Sequence, residues 1–258
     1  MRKFLKILAL IPVLYLIVLP VYFAGSINLR PCGGIIIDIK DSSDYHFVTK
    51  KHLLSLAYGN SSRILGQPVK DINLLEIENR INVLQELKVA EVYRTIDGNV
   101  HIYADQREPI MRVMPDNGGD FFLDEDGVIV RRRNLYTPRL HIVGGNINIS
   151  AAMLNGVSIL DTSIKNTILK DIYQLINYIN DDNFWSAQID QVYVDENNEI
   201  DLIPRVGNQT VHFGTIENFK GKLRNLEAFY DKVLPEVGWN KYSVINLEYK
   251  DQIVCKRR

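Results

Sequence analysis

Phe4 to Gly25, FLKILALIPVLYLIVLPVYFAG, is a nearly unbroken run of aliphatic and aromatic side chains. At 1.5 Å rise per residue, about 20 residues span roughly 30 Å, the thickness of a bilayer's hydrocarbon core. The run predicts one membrane crossing. Pro12 and Pro20 kink such a helix without abolishing it, and Lys6 snorkels. Arg2, Lys3 and Lys6 precede the span while only Arg30 follows closely, which keeps the short tail cytoplasmic and exports the rest. Residues 1–27 thus read as tail and transmembrane helix. The rival is a cleaved signal peptide, with an apolar core of about 7–15 residues and a small-x-small site. Only Ala24-Gly25-Ser26 approaches one, and Arg30-Pro31 argues against lipidation at Cys32.

Beyond the span, 46% hydrophobic and 24% charged residues in a chain of 258 fit one or two globular domains. A formal charge of -1 gives no reason to expect nucleic acid. Two cysteines, Cys32 and Cys255, make neither a disulfide framework nor a zinc site; one pairing in an oxidising compartment is open to them, but near opposite ends they read first as unpaired. Asn28 to Gly34 is a short tether.

Gly34 to Lys40 is β-branched and predicts a strand, ended by the polar run Asp41 to Asp44. Val48, Leu53, Leu54 and Leu56 predict a short helix after Thr49 that stops near Gly59. A second helix is capped by Asn73, with Glu76 three residues on, and turns Leu74, Ile77, Ile81 and Leu84 inward. Val89 to Ile96 and Val100 to Asp105 flank Asp97-Gly98-Asn99 as a hairpin. Strand, helix, helix, strand, strand makes one small α+β unit.

In the second half, Phe121 to Val130 predicts a hairpin around Asp126-Gly127. Leu140 to Val143 is a short apolar run before Gly144-Gly145. Ile164, Ile168, Ile172, Leu175 and Ile179 share a helix face, with Asp161 or Thr162 as cap. Strands Ile189 to Val194 and Ile200 to Arg205 flank a turn at Asp195 to Glu199. Ile216, Phe219, Leu223, Leu226, Tyr230 and Val233 mark a further helix, stopped by Pro235, whose stripe is too short for a coiled-coil seam.

Gln106-Arg107-Glu108-Pro109-Ile110 resembles the Glu-Arg-x-Pro segment that closes the POTRA domain of the bacterial division proteins FtsQ and DivIB. Leu123-Asp124-Glu125-Asp126-Gly127-Val128 is similar to the Asp-x-x-Gly hairpin opening their second domain. Val211-His212-Phe213-Gly214 with Lys220 and Leu223 resembles their strand, glycine, helix passage, and Ile245-Asn246-Leu247-Glu248-Tyr249 their last strand. The resemblance covers almost the whole chain. It departs at Gln106, where the pattern is acidic, and at Asp97-Gly98, where some members carry Trp-Pro.

The fold expected is therefore α+β: a single N-terminal transmembrane helix, a small POTRA-like βααββ domain over 28–110, and a larger mixed β domain with flanking helices over 111–258. Ser243 to Tyr249 alternates apolar Ile245, Leu247 and Tyr249 with Asn246, Glu248 and Lys250, so one face packs and the other is wet. As the last strand recognised it lies either at a sheet edge able to accept a partner strand or inside the sheet, closed by neighbours, and the resemblance, in which this strand of FtsQ receives FtsB, implies the edge. Partner binding is assigned to Ile245, Leu247, Glu248, Tyr249, Lys250 and Ile253. Glu91, Tyr93 and Arg94 are weaker candidates, reading first as part of a core strand with a solvated face.

Chemistry finds little foothold. Asp124 and Asp126 suit a turn, without the later ligands of a calcium loop. His46, His52, His101, His141 and His212 lack the spacing of a zinc helix, and no nucleophile elbow or phosphate loop is present. No catalytic residue, metal or cofactor is assigned. Arg131-Arg132-Arg133 reads as a solvated charge run more than as a site for an anionic polymer.

The resemblance implies a non-enzymatic, single-pass type II protein of the bacterial inner membrane, its bulk extracytoplasmic and found at the division septum. There it would link FtsB-like and FtsL-like proteins to the septal peptidoglycan synthases FtsW and FtsI. A POTRA-bearing envelope transport or assembly factor, and a membrane-anchored cell-wall hydrolase, are the alternatives. The first would carry several POTRA units or a barrel. The second needs a cleft of converging His and carboxylate groups.

Overall fold

Asn73 accepts a hydrogen bond from the Glu76 backbone N–H at 3.2 Å, and the helix Leu74–Ile81 starts where that cap and its buried Ile77 and Ile81 place it. A computed structural model describes residues 15–16, 18–19, 30–40, 46–59, 64–132, 138–250 and 252–258. Among these, no helix is long and apolar enough to cross a membrane. The span read at Phe4 to Gly25 lies outside the described residues except for Tyr15, Leu16, Val18 and Leu19, which are helical. The polar run Asp41 to Asp44 and Arg133 also lie outside them.

The chain divides into two compact units, Met1–Gln106 and Arg107–Arg258. In the first, strand β1 (Ile35–Lys40), helix α1 (Lys50–Tyr58), helix α2 (Leu74–Ile81), β2 (Leu87–Arg94) and β3 (Val100–Gln106) follow in order. The sheet order is β1-β3-β2, with β1 parallel and β2 antiparallel to β3. Thr49 caps α1 through His52 N–H, so Val48 precedes the helix. Leu84 lies past the end of α2 yet is buried beside it in sequence. Gly98 supplies the positive φ, +87°, that the β2–β3 turn needs.

Gln106 explains the departure from an acidic residue. Its side chain is buried, accepts from Val48 N–H at 3.1 Å and donates to Lys40 C=O at 3.4 Å. An ionised carboxylate in its place could accept but not donate.

In the second unit the strands are β4 (Pro109–Pro115), β5 (Phe121–Asp124), β6 (Ile129–Arg131), β7 (His141–Gly145), β8 (Ile189–Val194), β9 (Ile200–Pro204), β10 (Thr210–Gly214), β11 (Tyr242–Asn246) and β12 (Val254–Arg257). They form one nine-stranded sheet ordered β12-β11-β10-β9-β8-β7-β4-β5-β6. Helices α3 (Ala151–Leu154), α4 (Ile168–Asp181), α5 (Asn183–Gln188), α6 (Phe219–Lys232) and α7 (Leu234–Val237) complete the unit. Ile172, Leu175 and Ile179 of α4 and Leu223, Leu226 and Tyr230 of α6 share one core with Val143, Val192, Leu202, Val211 and Ile245 of the sheet. Each such Leu or Ile contributes about 1.5–3 kcal/mol by leaving water.

Three helix boundaries differ from the sequence reading. Thr167, not Asp161 or Thr162, caps α4, because Asn166 takes a left-handed φ of 52° and Asp161 is already bonded to Ser163 N–H in a turn. Ile216 precedes α6, whose Asn218 is itself left-handed at φ 52°. Pro235 starts a new helix instead of ending the old one, since a first turn has no use for its missing N–H.

The edge assignment also needs correcting. Ser243 to Tyr249 is not the sheet margin: β11 is covered by β12, with Ile245 opposite Cys255 and Asn246 opposite Val254. Val254–Arg257 escapes pattern reading because four residues, two of them basic, carry almost no alternation.

Candidate functional site

The end of the sheet at β10, β11 and β12 gathers the residues singled out for binding. Val211 and Phe213 point into the core, so His212 between them faces the open side. β11 runs parallel to β10, with Val211 opposite Ile245 and His212 opposite Asn246. Leu247 N–H extends the pairing by donating to His212 C=O at 2.9 Å. Asn246 then accepts from Glu248 N–H at 2.8 Å, and the chain leaves the sheet before returning as β12.

The six principal candidates therefore do different things. Ile245 and Leu247 are core residues at 0% and 4% exposure, closed to any partner. Tyr249 and Lys250 are exposed, and Ile253 is half-buried against the core. Glu248 lies over Gly214, where a Cβ would come within 2.8 Å of its Cγ. Glu248, Tyr249 and Lys250 border an open cleft of about 390 Å³ with Asn218, Lys222 and Asn225. Lys222 Nζ donates to Phe213 C=O and Thr215 C=O, both at 2.8 Å, and burial lowers its pKa.

His212 is the electrostatic centre. Its Nδ1 is 2.7 Å from Asp201 Oδ1, while Nε2 is 3.2 Å from Glu248 Oε2 and 3.6 Å from Glu199 Oε2. Burial pulls its pKa down, but the Asp201 hydrogen bond and the charges of Asp201, Glu248 and Glu199 outweigh it and leave the net shift upward. Sequence reading passed over this group. Its members stand at 199, 201, 212 and 248, and only strand register brings them together.

In the first unit, Glu91, Tyr93 and Arg94 are exposed on β2, but the strand's outer edge is occupied. Ala90 N–H donates to Asn82 Oδ1 at 3.1 Å, and Val92 N–H to Glu78 Oε2 at 3.0 Å. Tyr93 stacks on His101, and Arg94 donates to Ile72 C=O at 3.1 Å. Of the arginine run, Arg131 donates to Leu154 C=O, and Arg132 joins Arg112 on Asp120, at 2.7 and 2.6 Å. That pair of guanidiniums, Arg112 foremost, holds the Asp120 carboxyl below its ordinary value.

A βααββ unit followed by a mixed nine-stranded sheet is the build of a POTRA-like domain joined to a division-protein β domain. A model of the POTRA-like domain matches residues 30–105, and one of the FtsQ/DivIB C-terminal related domain matches residues 108–256, more than half of the chain. The chain belongs to the FtsQ/DivIB family of bacterial division proteins. No curated protein matches it.

Proposed function

We propose that the protein is a non-catalytic division adaptor, held in the inner membrane by Phe4 to Gly25, which receives a partner's strand along β12. The observation that carries this reading is the position of β12: it terminates the nine-stranded order, with Val254, Lys256 and Arg257 exposed. Unpaired backbone groups on its outer side supply affinity for any extended segment, and alternate side chains supply selectivity. Lys250, Lys256, Arg257 and Arg258 favour an acidic guest. Tyr249, 51% exposed next to the cleft, is the aromatic contact at the rim.

By the family resemblance the guest is a segment of an FtsB-like protein. Through it, an FtsL-like protein and the synthases FtsW and FtsI are brought to the septum. A segment that is extended when free becomes ordered on pairing, so recruitment needs no chemistry.

The test is capture of an FtsB-like partner by the full chain in detergent, with Lys256→Glu and Arg257→Glu combined. The double variant should bind at least about tenfold more weakly, equivalent to about 1.4 kcal/mol, with an unchanged melting curve. Wild-type affinity in that variant overturns docking at β12. A fluorescent fusion should concentrate at midcell, and a uniform envelope signal overturns the division role.

A further inference from the structure

We propose that Glu199, His212 and Glu248 form a binding site for a divalent transition-metal ion, with zinc the ion whose bond lengths fit best. The ligand atoms already lie within 4.8 Å of one another. In a tetrahedral site with bonds of about 2.0–2.2 Å, neighbouring ligand atoms are about 3.3–3.6 Å apart. His212 Nε2 stands 3.2 Å from Glu248 Oε2 and 3.6 Å from Glu199 Oε2. The Glu199 and Glu248 ligand atoms lie no more than 4.8 Å apart, and Glu248 Oε2, on a side chain 37% exposed, is held by a hydrogen bond from Asn246 Nδ2 at 3.1 Å that a metal ion would replace or share. Solvent completes the tetrahedron.

Two further observations favour a cation. The imidazole is held from behind: Asp201 Oδ1 takes the Nδ1 side at 2.7 Å, which turns Nε2 towards the two glutamates, as metal-bound histidines are held by a carboxylate. The charge is also not balanced at contact distance, although Lys222 lies close enough to feel Glu248. Three carboxylates surround one ring, so the group stays negative even with the imidazole protonated. Among the described residues, no lysine or arginine nitrogen comes within 4.0 Å of them. The nearby Lys222 has its ammonium committed to Phe213 and Thr215 carbonyls. A nitrogen and two carboxylate oxygens suit zinc better than calcium or magnesium, which prefer oxygen alone.

The ion would join the turn before β9, strand β10 and the segment leaving β11. It would fasten the path from β11 to β12 whether or not a partner adds to that edge.

The experiment is calorimetric titration of the metal-free, tag-free full chain in detergent with zinc chloride, and with cobalt chloride followed by visible absorption. One equivalent should bind, cobalt should give the intense absorption of a four-coordinate site, and zinc should raise the melting temperature. His212→Gln should abolish these responses, and Asp201→Asn, a positioning change, should weaken zinc binding about 10–100-fold. If His212→Gln fails to fold, Glu248→Gln decides in its place. No uptake by the wild type at millimolar zinc, or undiminished uptake by both ligand variants, overturns the site and leaves a protonated imidazole among carboxylates.

Discussion

Arg107 Nη1 donates to Asp124 Oδ2 at 2.6 Å, joining the Arg-Glu-Pro entry to β4 with the Asp-x-x-Gly turn of the β5–β6 hairpin. Two motifs that look independent in the sequence are one structural device. Asp124 is 1% exposed and also accepts from Asp126 and Val128 N–H groups, yet burial outweighs these partners and raises its pKa, which makes the Arg107 cation the contact it can least lose.

Arg107→Ala should therefore cost about 3 kcal/mol, because it leaves a buried carboxylate without its cation. Urea unfolding followed by tryptophan fluorescence measures this directly, since both tryptophans, Trp185 and Trp239, lie in the second unit. Arg107→Lys keeps a cation opposite Asp124, which Arg107 meets through Nη1 alone, and should recover much of the loss.

Gln106→Glu, which restores the acidic residue of the family pattern, should destabilise the first unit by about 1–3 kcal/mol. The carboxylate cannot donate to Lys40 C=O, and it is buried. Hydrogen exchange should show faster opening at Val48 N–H, the group that Gln106 accepts.

Gly145→Ala should prevent β7 from pairing with β8. At φ +106° a Cβ would overlap the Val194 carbonyl oxygen, which is main chain and cannot swing aside. A loss of about 3 kcal/mol or more is expected, read as insoluble expression or a collapsed melting curve.

Tyr230 should make the second unit alkali-sensitive. Burial first of all, against the amides of Gln209 and Gln188, pushes its phenol up to about 12. An unfolded tyrosine ionises near pH 10, so above that the unfolded state releases its proton first. The stabilising contribution is complete below about pH 10 and is lost as pH climbs towards 12, by up to about 1.4 kcal/mol per unit. Tyr230→Phe should flatten this fall, and a spectrophotometric titration should show one phenol ionising late.

Local signals carried much of the fold. Asn73 with Glu76, the Asp97 to Asn99 turn, and the Leu223, Leu226, Tyr230 stripe act over a few residues and stand where those residues predict. Relationships between distant segments were not legible. Whether Ser243 to Tyr249 is an edge depends on whether Val254–Arg257 comes back to cover it, a property of another stretch of chain. His212 looks like a stray histidine until register sets Asp201 beside it and the chain beyond Asn246 carries Glu248 round to it. Nor does the solvated face read for Glu91, Tyr93 and Arg94 reveal that Asn82 and Glu78 accept from the Ala90 and Val92 N–H groups of the same strand.

The chemistry of β12 bears on which guests are refused. Two copies of this strand laid parallel and in register would set Lys256 and Arg257 of one molecule against the same cations of the other, and like charges directly across a ladder repel. A sheet bordered in this way resists growing by that mode of self-addition.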